Sequence, residues 1–271
     1  THLWMNRAST DVNNEPGAAS LSISGAEIEK FTSQNVVGYL EGNDSKLRDE
    51  IVVYSAHYDH IGIGQANAEG DNIYNGSRAN AVGTVTVVAA AENLAKKPTK
   101  RSGLLGLFTG EEKGLLGSKH FVDNSPVPMS DMVYCFNSDN GGYNDTSKAT
   151  IIGLTRTTAQ EMILEACSAF GLEAIEDPAP EQGLFDRSDN VRFAAKGVPA
   201  PTFSMGFTAF DDEITKYYHQ AGDNPNTLDY LYLEKFFRSY VYACRLIGNA
   251  KKAPFWVKGD KYYEDGKKLY K

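Results

Sequence analysis

Cysteine, long apolar runs and positive charge are all scarce in this sequence of 271 residues. The three cysteines, Cys135, Cys167 and Cys244, form no Cys-x-x-Cys pair, which argues against a disulfide framework or a thiolate zinc site and favours buried free thiols. No stretch of about 18 apolar residues predicts a membrane-spanning helix. Acidic residues outnumber basic ones by 35 to 27 and no basic run stands out, so no nucleic-acid partner is expected.

The chain divides by composition into three parts. It opens without an initiator Met or a signal peptide, so we expect the natural start to lie upstream. Residues 1–34 are polar and turn-rich, which predicts an N-terminal extension. Residues 35–250 predict one domain. Residues 251–271 predict a tail packed on the surface of that domain through aromatic residues such as Trp256 and Tyr262.

Short apolar runs alternate with segments of helical spacing along the domain. This order predicts an α/β fold with a mixed, mostly parallel central sheet flanked by helices. Strands are expected at 35–40, 51–56, 104–108, 132–136, 149–152 and 201–205. Helices are expected at 80–96, where Val85 and Val88 carry the helical spacing, and at 114–121, 157–170 and 231–249.

Polar clusters follow three of these strands and should meet at one edge of the sheet, because ligands bind where the carboxyl ends of the strands converge. The clusters are His57-Tyr58-Asp59-His60, Gly110-Glu111-Glu112 and Asn137-Ser138-Asp139, and a fourth, Tyr217-Tyr218-His219-Gln220, could close the site. Imidazole and carboxylate ligands suit zinc, manganese or cobalt in a hydrolytic site, and a remaining carboxylate can serve as a general base.

Each cluster also has a structural interpretation. A single histidine after a strand is usually hydrogen-bonded to the backbone, a Glu-Glu pair usually lies in solvent at a helix start, and an aspartate there usually caps a helix. The prediction of a metal site therefore depends on the coincidence of all the clusters at one sheet edge.

Several motifs resemble the co-catalytic zinc aminopeptidase family, whose relatives include glutamate carboxypeptidase II and the glutaminyl cyclases. The motifs, in order, are Ser55-Ala56-His57-Tyr58-Asp59-His60-Ile61-Gly62, Tyr74-Asn75-Gly76-Ser77-Arg78-Ala79-Asn80-Ala81-Val82-Gly83, Phe108-Thr109-Gly110-Glu111-Glu112, Asn137-Ser138-Asp139, Arg187-Ser188-Asp189 and Tyr218-His219. The resemblance covers roughly residues 35–250 and implies a zinc exopeptidase domain, a three-layer sandwich.

The resemblance also implies a role for each site residue. His57 and Asp139 would bind a first zinc, and Glu112 and His219 a second. Glu111 would be the general base that takes a proton from water. Two further residues would orient these groups: Asp59 would hold the other ring nitrogen of His57, and Ser188 falls where the family orients the last histidine.

The sequence departs from the family in the loop before the helix at 80–96. The family pattern there is approximately Asn-Gly-Ala-Asp-Asp-Asn-Ala-Ser-Gly, and the aspartate four residues before the last glycine bridges the two metals. Counting back four residues from Gly83 gives Ala79. Without that carboxylate each metal keeps two protein ligands, below the three usual for catalytic zinc. We therefore expect single or weak zinc occupancy and impaired catalysis.

Ala79 has two explanations, a natural variant or an engineered substitution, and retention of the other ligands favours the second. The leading functional prediction is an aminopeptidase that hydrolyses the amino-terminal bond of peptides. The alternatives are a one-zinc acyltransferase like the glutaminyl cyclases and a non-catalytic peptide-binding or receptor-like domain. Family habit implies a secreted or periplasmic location.

Overall fold

The computed structural model describes residues 32–271, so all but the last three residues of the expected N-terminal extension lie outside the described part of the chain. Within residues 32–271, no helix is long and apolar enough to cross a bilayer. All three cysteines are buried and unbonded, as the sequence predicted.

A seven-stranded mixed sheet forms the centre of the fold. Its strands in chain order are β1 (Val36–Leu40), β2 (Ile51–His57), β5 (Ser102–Phe108), β6 (Met132–Ser138), β7 (Lys148–Ile152), β8 (Glu173–Glu176) and β9 (Thr202–Met205). The spatial order is β1-β5-β2-β6-β9-β7-β8. Two short strands, β3 (Gly62–Ile63) and β4 (Ile73–Tyr74), pair with each other outside this sheet.

The four central strands are parallel. Strand β2 pairs with β5 on one side and β6 on the other, and β6 pairs with β9. Strands β1 and β7 run antiparallel to their central neighbours. The mixed, mostly parallel sheet predicted from the sequence is therefore confirmed.

Helices cover both faces of the sheet. The helices are α1 (Val82–Lys96), α2 (Leu116–Asp123), α3 (Gln160–Ser168), α4 (Asn190–Ala194), α5 (Asp212–Thr215), α6 (Tyr230–Asn249) and α7 (Tyr263–Leu269). Helices α1, α3 and α6 contribute to one apolar cluster, and α2, α4 and α7 to another. Along β2, Val52 and Tyr54 join the first cluster while Ile51 and Val53 join the second. This alternation explains why a central strand is apolar at successive positions.

The structure adds two details to the sequence expectations. Val85 and Val88 are about half exposed, and the buried face of α1 includes Val87 and Leu94. Valine occurs all round this helix, so its spacing could not identify the buried side. In the expected tail, Trp256 is 1% exposed and its indole N–H donates to the carbonyl of Gly197.

Candidate metal centre

The parallel register of three strands brings the polar clusters to one edge of the sheet. His57, the last residue of β2, lies opposite Phe108, the last residue of β5. Ser55 of β2 lies opposite Asn137 of β6, two residues before Asp139. The loops that follow these strands therefore begin side by side at the carboxyl edge, where α/β folds bind ligands.

The first half-site consists of His57, Asp139 and Glu111. Nε2 of the buried His57 lies 3.4 Å from Oδ1 of Asp139 and 3.9 Å from Oε2 of Glu111. The other ring nitrogen, Nδ1, lies 3.0 Å from the backbone carbonyl oxygen of Asp59. The ring is thus fixed from behind, and Nε2 faces two carboxyl groups.

Asp59 contacts both the ring and the Glu-Glu pair. Its carboxylate lies 3.7 Å from Nδ1 of His57, farther than the carbonyl of the same residue. The carboxylate accepts the backbone N–H groups of Glu111, at 3.1 Å, and Glu112, at 3.3 Å. The backbone of Asp59 therefore takes the nearest position to His57, while its side chain holds the Glu111–Glu112 turn against the end of β2.

The second half-site consists of Glu112, His60 and His219. Oε1 of Glu112 lies 2.8 Å from Nδ1 of His60 and 3.2 Å from Nε2 of His219. His219 has a positive φ of 57°, a conformation that residues other than glycine seldom adopt and that is frequent at functional sites. Its ring stacks on that of Tyr218 at a centroid distance of 4.1 Å.

His60 has no predicted role, although it belongs to the first of the motifs that carry the family resemblance. The available signal was its position three residues after His57, in the same loop. The sequence did not show that this loop crosses to Glu112, because that contact depends on the packing of two chain segments 52 residues apart.

The loop that carries Ala79 runs between the two half-sites. At its start, a side chain at Gly76 would lie 2.6 Å from the ring of His60 and 2.5 Å from the carbonyl oxygen of Ala79, so only glycine fits there. At its end, Asn80 donates to the carbonyl of Ser138, at 2.9 Å, and accepts from Asn140, also at 2.9 Å.

Asp223 holds the same loop through hydrogen bonds to its backbone and an ion pair with Arg78. Its buried carboxylate accepts the backbone N–H of Arg78 at 2.9 Å and that of Ala79 at 3.2 Å, and it lies 3.4 Å from the Arg78 guanidinium. The guanidinium lies over the ring of Tyr217, 3.7 Å from the centroid. Nothing in the sequence pattern predicted this role for Asp223.

Ser188, which the resemblance places where it would orient His219, has contacts near the first half-site. Its hydroxyl accepts from the side chain of Asn137 at 2.8 Å, and a hydrogen bond from it also favours the charged form of Asp139. The amide oxygen of Asn137 in turn accepts from Ser55 at 2.8 Å. Ser188 directly follows a short helical turn, Leu184–Arg187.

Burial and neighbouring charges shift the pKa values of all three side chains of the first half-site in the metal-free chain. Burial, together with the nearby Asp139, raises the pKa of Glu111 to about 9. Burial opposes protonation of His57, but Asp139, Asp59 and Glu111 outweigh it and raise the pKa of His57 well above its usual value. Burial also opposes ionisation of Asp139, but His57 outweighs it and lowers the pKa of Asp139.

Glu112 behaves differently from its neighbour Glu111. Burial opposes its ionisation, but hydrogen bonds from His219 and His60 outweigh this and lower its pKa well below the usual value. The surroundings therefore move the pKa values of two adjacent glutamates in opposite directions, as they do in the acid–base pairs of known enzymes. Behind them, Asp189 is buried without a hydrogen-bond partner in the described part of the chain, and burial raises its pKa to about 7.

The donor set fits a divalent transition metal. Ligand atoms of His60, Glu112 and His219 all lie within 4.8 Å of one another. Nε2 of His60 is buried and has no hydrogen-bond partner among residues 32–271. Two imidazoles and one carboxylate are the ligands of many catalytic zinc sites, and such sites keep one position open for water or substrate.

Comparison with known proteins gives a consistent assignment. The family model described as peptidase family M28 matches residues 35–243. Aminopeptidase YwaD of Bacillus subtilis is 27% identical over 194 residues, which cover 71% of this chain and 40% of that protein. The chain thus spans less than half the length of this relative.

Solved structures with the same fold include BSAP, a zinc aminopeptidase from Bacillus subtilis, with a TM-score of 0.63 and 22% identity over 85% of this chain and 52% of that one. A glutaminyl cyclase from Bacteroides thetaiotaomicron has a TM-score of 0.55 and 14% identity over 78% of this chain and 76% of that one. At these identities the structures establish the fold alone.

Proposed function

The chain belongs to peptidase family M28, and from this we propose that it is the metal-dependent exopeptidase domain of an aminopeptidase, acting on the amino-terminal bond of peptides. The observation that carries the proposal is the meeting of two half-sites at one edge of the sheet, joined by the adjacent residues Glu111 and Glu112. Zinc is the proposed metal, since imidazole and carboxylate ligands suit it and BSAP is described as a zinc enzyme.

His57 with Asp139, and Glu112 with His219, are the proposed metal ligands. A metal bound there polarises the scissile carbonyl and lowers the pKa of water. His57 is held for this role by the carbonyl of Asp59, which occupies Nδ1 and leaves Nε2 directed at Asp139. Orientation of a ligating imidazole through its other nitrogen is a general feature of metal sites.

Glu111 is the proposed general base. Its carboxyl group is mostly buried and lies at the centre of the first half-site, 3.9 Å from Nε2 of His57. In the metal-free chain burial and the nearby Asp139 raise the pKa of Glu111 to about 9, which favours the protonated carboxyl group at neutral pH. A nearby positive charge favours the carboxylate, so Glu111 can accept a proton from water when the site is charged. It then returns the proton to the leaving amine.

Ala79 is proposed to weaken this activity. In support, the loop that carries position 79 contacts His60 at Gly76 and the carbonyl of Ser138 at Asn80, and we propose that a carboxylate at 79 would reach both half-sites. A methyl group binds no cation. The first half-site keeps two ligands, His57 and Asp139, which is fewer than catalytic zinc sites use. Turnover in this chain should therefore be low.

The test is hydrolysis of aminoacyl p-nitroanilides by the zinc- or cobalt-loaded chain, with the Glu111→Gln variant as the control for contaminating peptidases. Measurable release of nitroaniline that disappears in Glu111→Gln supports the proposal. Equal rates in both proteins would reject it. Blocking the substrate's α-amine by acetylation should abolish hydrolysis if the chain is an exopeptidase.

A second candidate is one-metal cyclisation of amino-terminal glutamine. One observation favours it: the residues described include a single group of three possible metal ligands, which is enough for one metal ion. Loss of ammonia from a glutaminyl peptide, with closure of the ring, would support it over hydrolysis. Export from the cytoplasm is proposed on the family resemblance alone and is tested by cell fractionation of the full-length protein.

A further inference from the structure

His60, Glu112 and His219 form a group whose dimensions match a metal site. Four ligands arranged tetrahedrally about zinc at roughly 2.0–2.1 Å are about 3.3 Å apart. The two separations from Oε1 of Glu112 are 2.8 Å, to Nδ1 of His60, and 3.2 Å, to Nε2 of His219. Oε1 of Glu112 therefore lies at about the spacing that one zinc ion would impose from each imidazole, and all three donor atoms lie within 4.8 Å of one another.

Among residues 32–271, His60 has no hydrogen bond that would hold it away from a metal. Its side chain is 8% exposed, and the hydrogen-bond partner of Nδ1 there is the Glu112 carboxylate. Nε2 is buried with no partner in the described part of the chain. Glu112 is therefore the one hydrogen-bond partner of the imidazole among these residues, and no second hydrogen bond opposes coordination through Nδ1.

The ring of His60 also lies against the loop that lacks the family's bridging carboxylate. The His60 ring and the carbonyl oxygen of Ala79 both occupy the space that a side chain at Gly76 would need. Any side chain larger than hydrogen at Gly76 would displace the imidazole. The loop therefore makes room for the His60 ring beside the backbone of Ala79.

We propose that His60 is the third protein ligand of a single tightly bound metal ion, shared with Glu112 and His219, and that it takes over the coordination position that Ala79 cannot supply. This inference rests on the proposed function for the presence of a metal, but it concerns which residues hold the ion. It gives the second half-site three protein ligands, while the first half-site keeps two.

The rival interpretation is a purely structural cluster, in which two imidazole N–H groups donate to Glu112 and no metal is involved. Metal binding separates the two interpretations. Chelator-treated protein is titrated with Zn²⁺ by calorimetry and with Co²⁺ by visible absorption, in which four-coordinate cobalt gives intense d–d bands. We expect one tight site for the unchanged chain.

The His60→Ala variant should bind Zn²⁺ more weakly by on the order of 100-fold, because each protein ligand carries a substantial share of the binding free energy, and the cobalt bands should fade. His120→Ala is the matched control, since His120 is exposed on α2 and contacts Asn124 and no residue of the cluster within residues 32–271. His57→Ala should keep the tight site, because His57 belongs to the other half-site.

Restoring the carboxylate provides the decisive second variant. If His60 and residue 79 serve the same coordination position, Ala79→Asp should recover tight binding in the His60→Ala background. This rescue also excludes misfolding as the cause of the loss. His60→Gln, which keeps a polar side chain of similar size, should resemble His60→Ala in metal affinity while keeping the thermal stability of the metal-free chain.

Unchanged zinc affinity in both His60 variants would overturn the inference, as would a loss of affinity that Ala79→Asp does not restore. Failure of the proposed function has a different signature. In that case metal binding depends on His60 as stated, but neither the chain nor its Ala79→Asp variant hydrolyses any aminoacyl substrate.

Discussion

The side chain of Asn80 donates a hydrogen bond of 2.9 Å to the backbone carbonyl of Ser138. Asn80 directly follows Ala79, and Ser138 directly precedes Asp139, so this bond fixes position 79 beside the first half-site. Gly83 maintains the approach, because a Cβ there would lie 2.2 Å from Oδ1 of Asn80 and 2.5 Å from the carbonyl oxygen of Ser138. We therefore expect an aspartate at position 79 to supply a ligand without a change of the loop.

Ala79→Asp should raise the zinc content from one to two ions per chain and increase turnover. Two-metal sites stabilise both the attacking and the leaving group, so we expect a gain in kcat of about 100-fold or more, within the range of single catalytic groups. Metal analysis and nitroanilide kinetics measure the two effects. Ala81→Asp is the matched control, because Ala81 is exposed two residues away and should change neither quantity.

Glu111→Gln and Glu112→Gln should fail in different ways. Loss of a positioned base typically costs 10²–10⁴-fold in rate, so Glu111→Gln should lose turnover and keep its zinc. Glu112→Gln should release zinc, because it removes the carboxylate that both His60 and His219 contact. Measuring zinc content and kcat on the same samples tests this. The reverse pattern would show that the two roles have been exchanged.

Asp223→Ala should destabilise the protein strongly without touching the proposed ligands. The buried Asp223 carboxylate accepts two backbone N–H groups and pairs with the buried Arg78. Breaking such a pair leaves an uncompensated buried charge and costs roughly 3–5 kcal/mol. Urea denaturation of the chelator-treated protein measures the loss. Glu234→Ala removes an exposed partner of Arg238 and should cost below about 1 kcal/mol; equal effects would contradict the account.

Asp189 should make the metal-free protein less stable as the pH rises. Burial raises its folded-state pKa to about 7, from the value of 3.8 that is usual for an exposed aspartate. Between these values the folded chain keeps a proton that the unfolded chain has released, so the free energy of unfolding falls with rising pH. The ceiling on this loss is of the order of 4 kcal/mol.

Asp189→Asn removes this titration. Its stability relative to the unchanged chain should therefore increase between about pH 4 and pH 7 and level off above, as measured by denaturant unfolding at a series of pH values in chelator. Asp49→Asn, at an exposed position, should give a curve parallel to that of the unchanged chain. Parallel curves for Asp189→Asn as well would contradict the assignment.

Much of the architecture could be predicted from local sequence. The runs that became β2, β5 and β6 are apolar because both sheet faces are covered, and their parallel register implies that the residues after them meet. The sequence could thus predict that His57, Glu111 and Asp139 lie together, while their chemical roles stay predictions.

The rest depended on contacts between distant segments. The approach of His60 to Glu112 joins loops from two strands, and the clamp of Asp223 on Arg78 spans 145 residues. Neither contact leaves a periodic signal in the sequence. The contact of the Ser188 hydroxyl with Asn137, across 51 residues, could not be predicted for the same reason.

The most direct test of the account is the position of bound metal. A crystal of the zinc-loaded chain, measured at the zinc absorption edge, should show one strong anomalous peak at roughly 2.0–2.2 Å from ligand atoms of His60, Glu112 and His219. Weaker density beside His57 and Asp139 is compatible with the two ligands available there. A map with no peak at Glu112, or with a peak that His60 does not contact, would contradict the account.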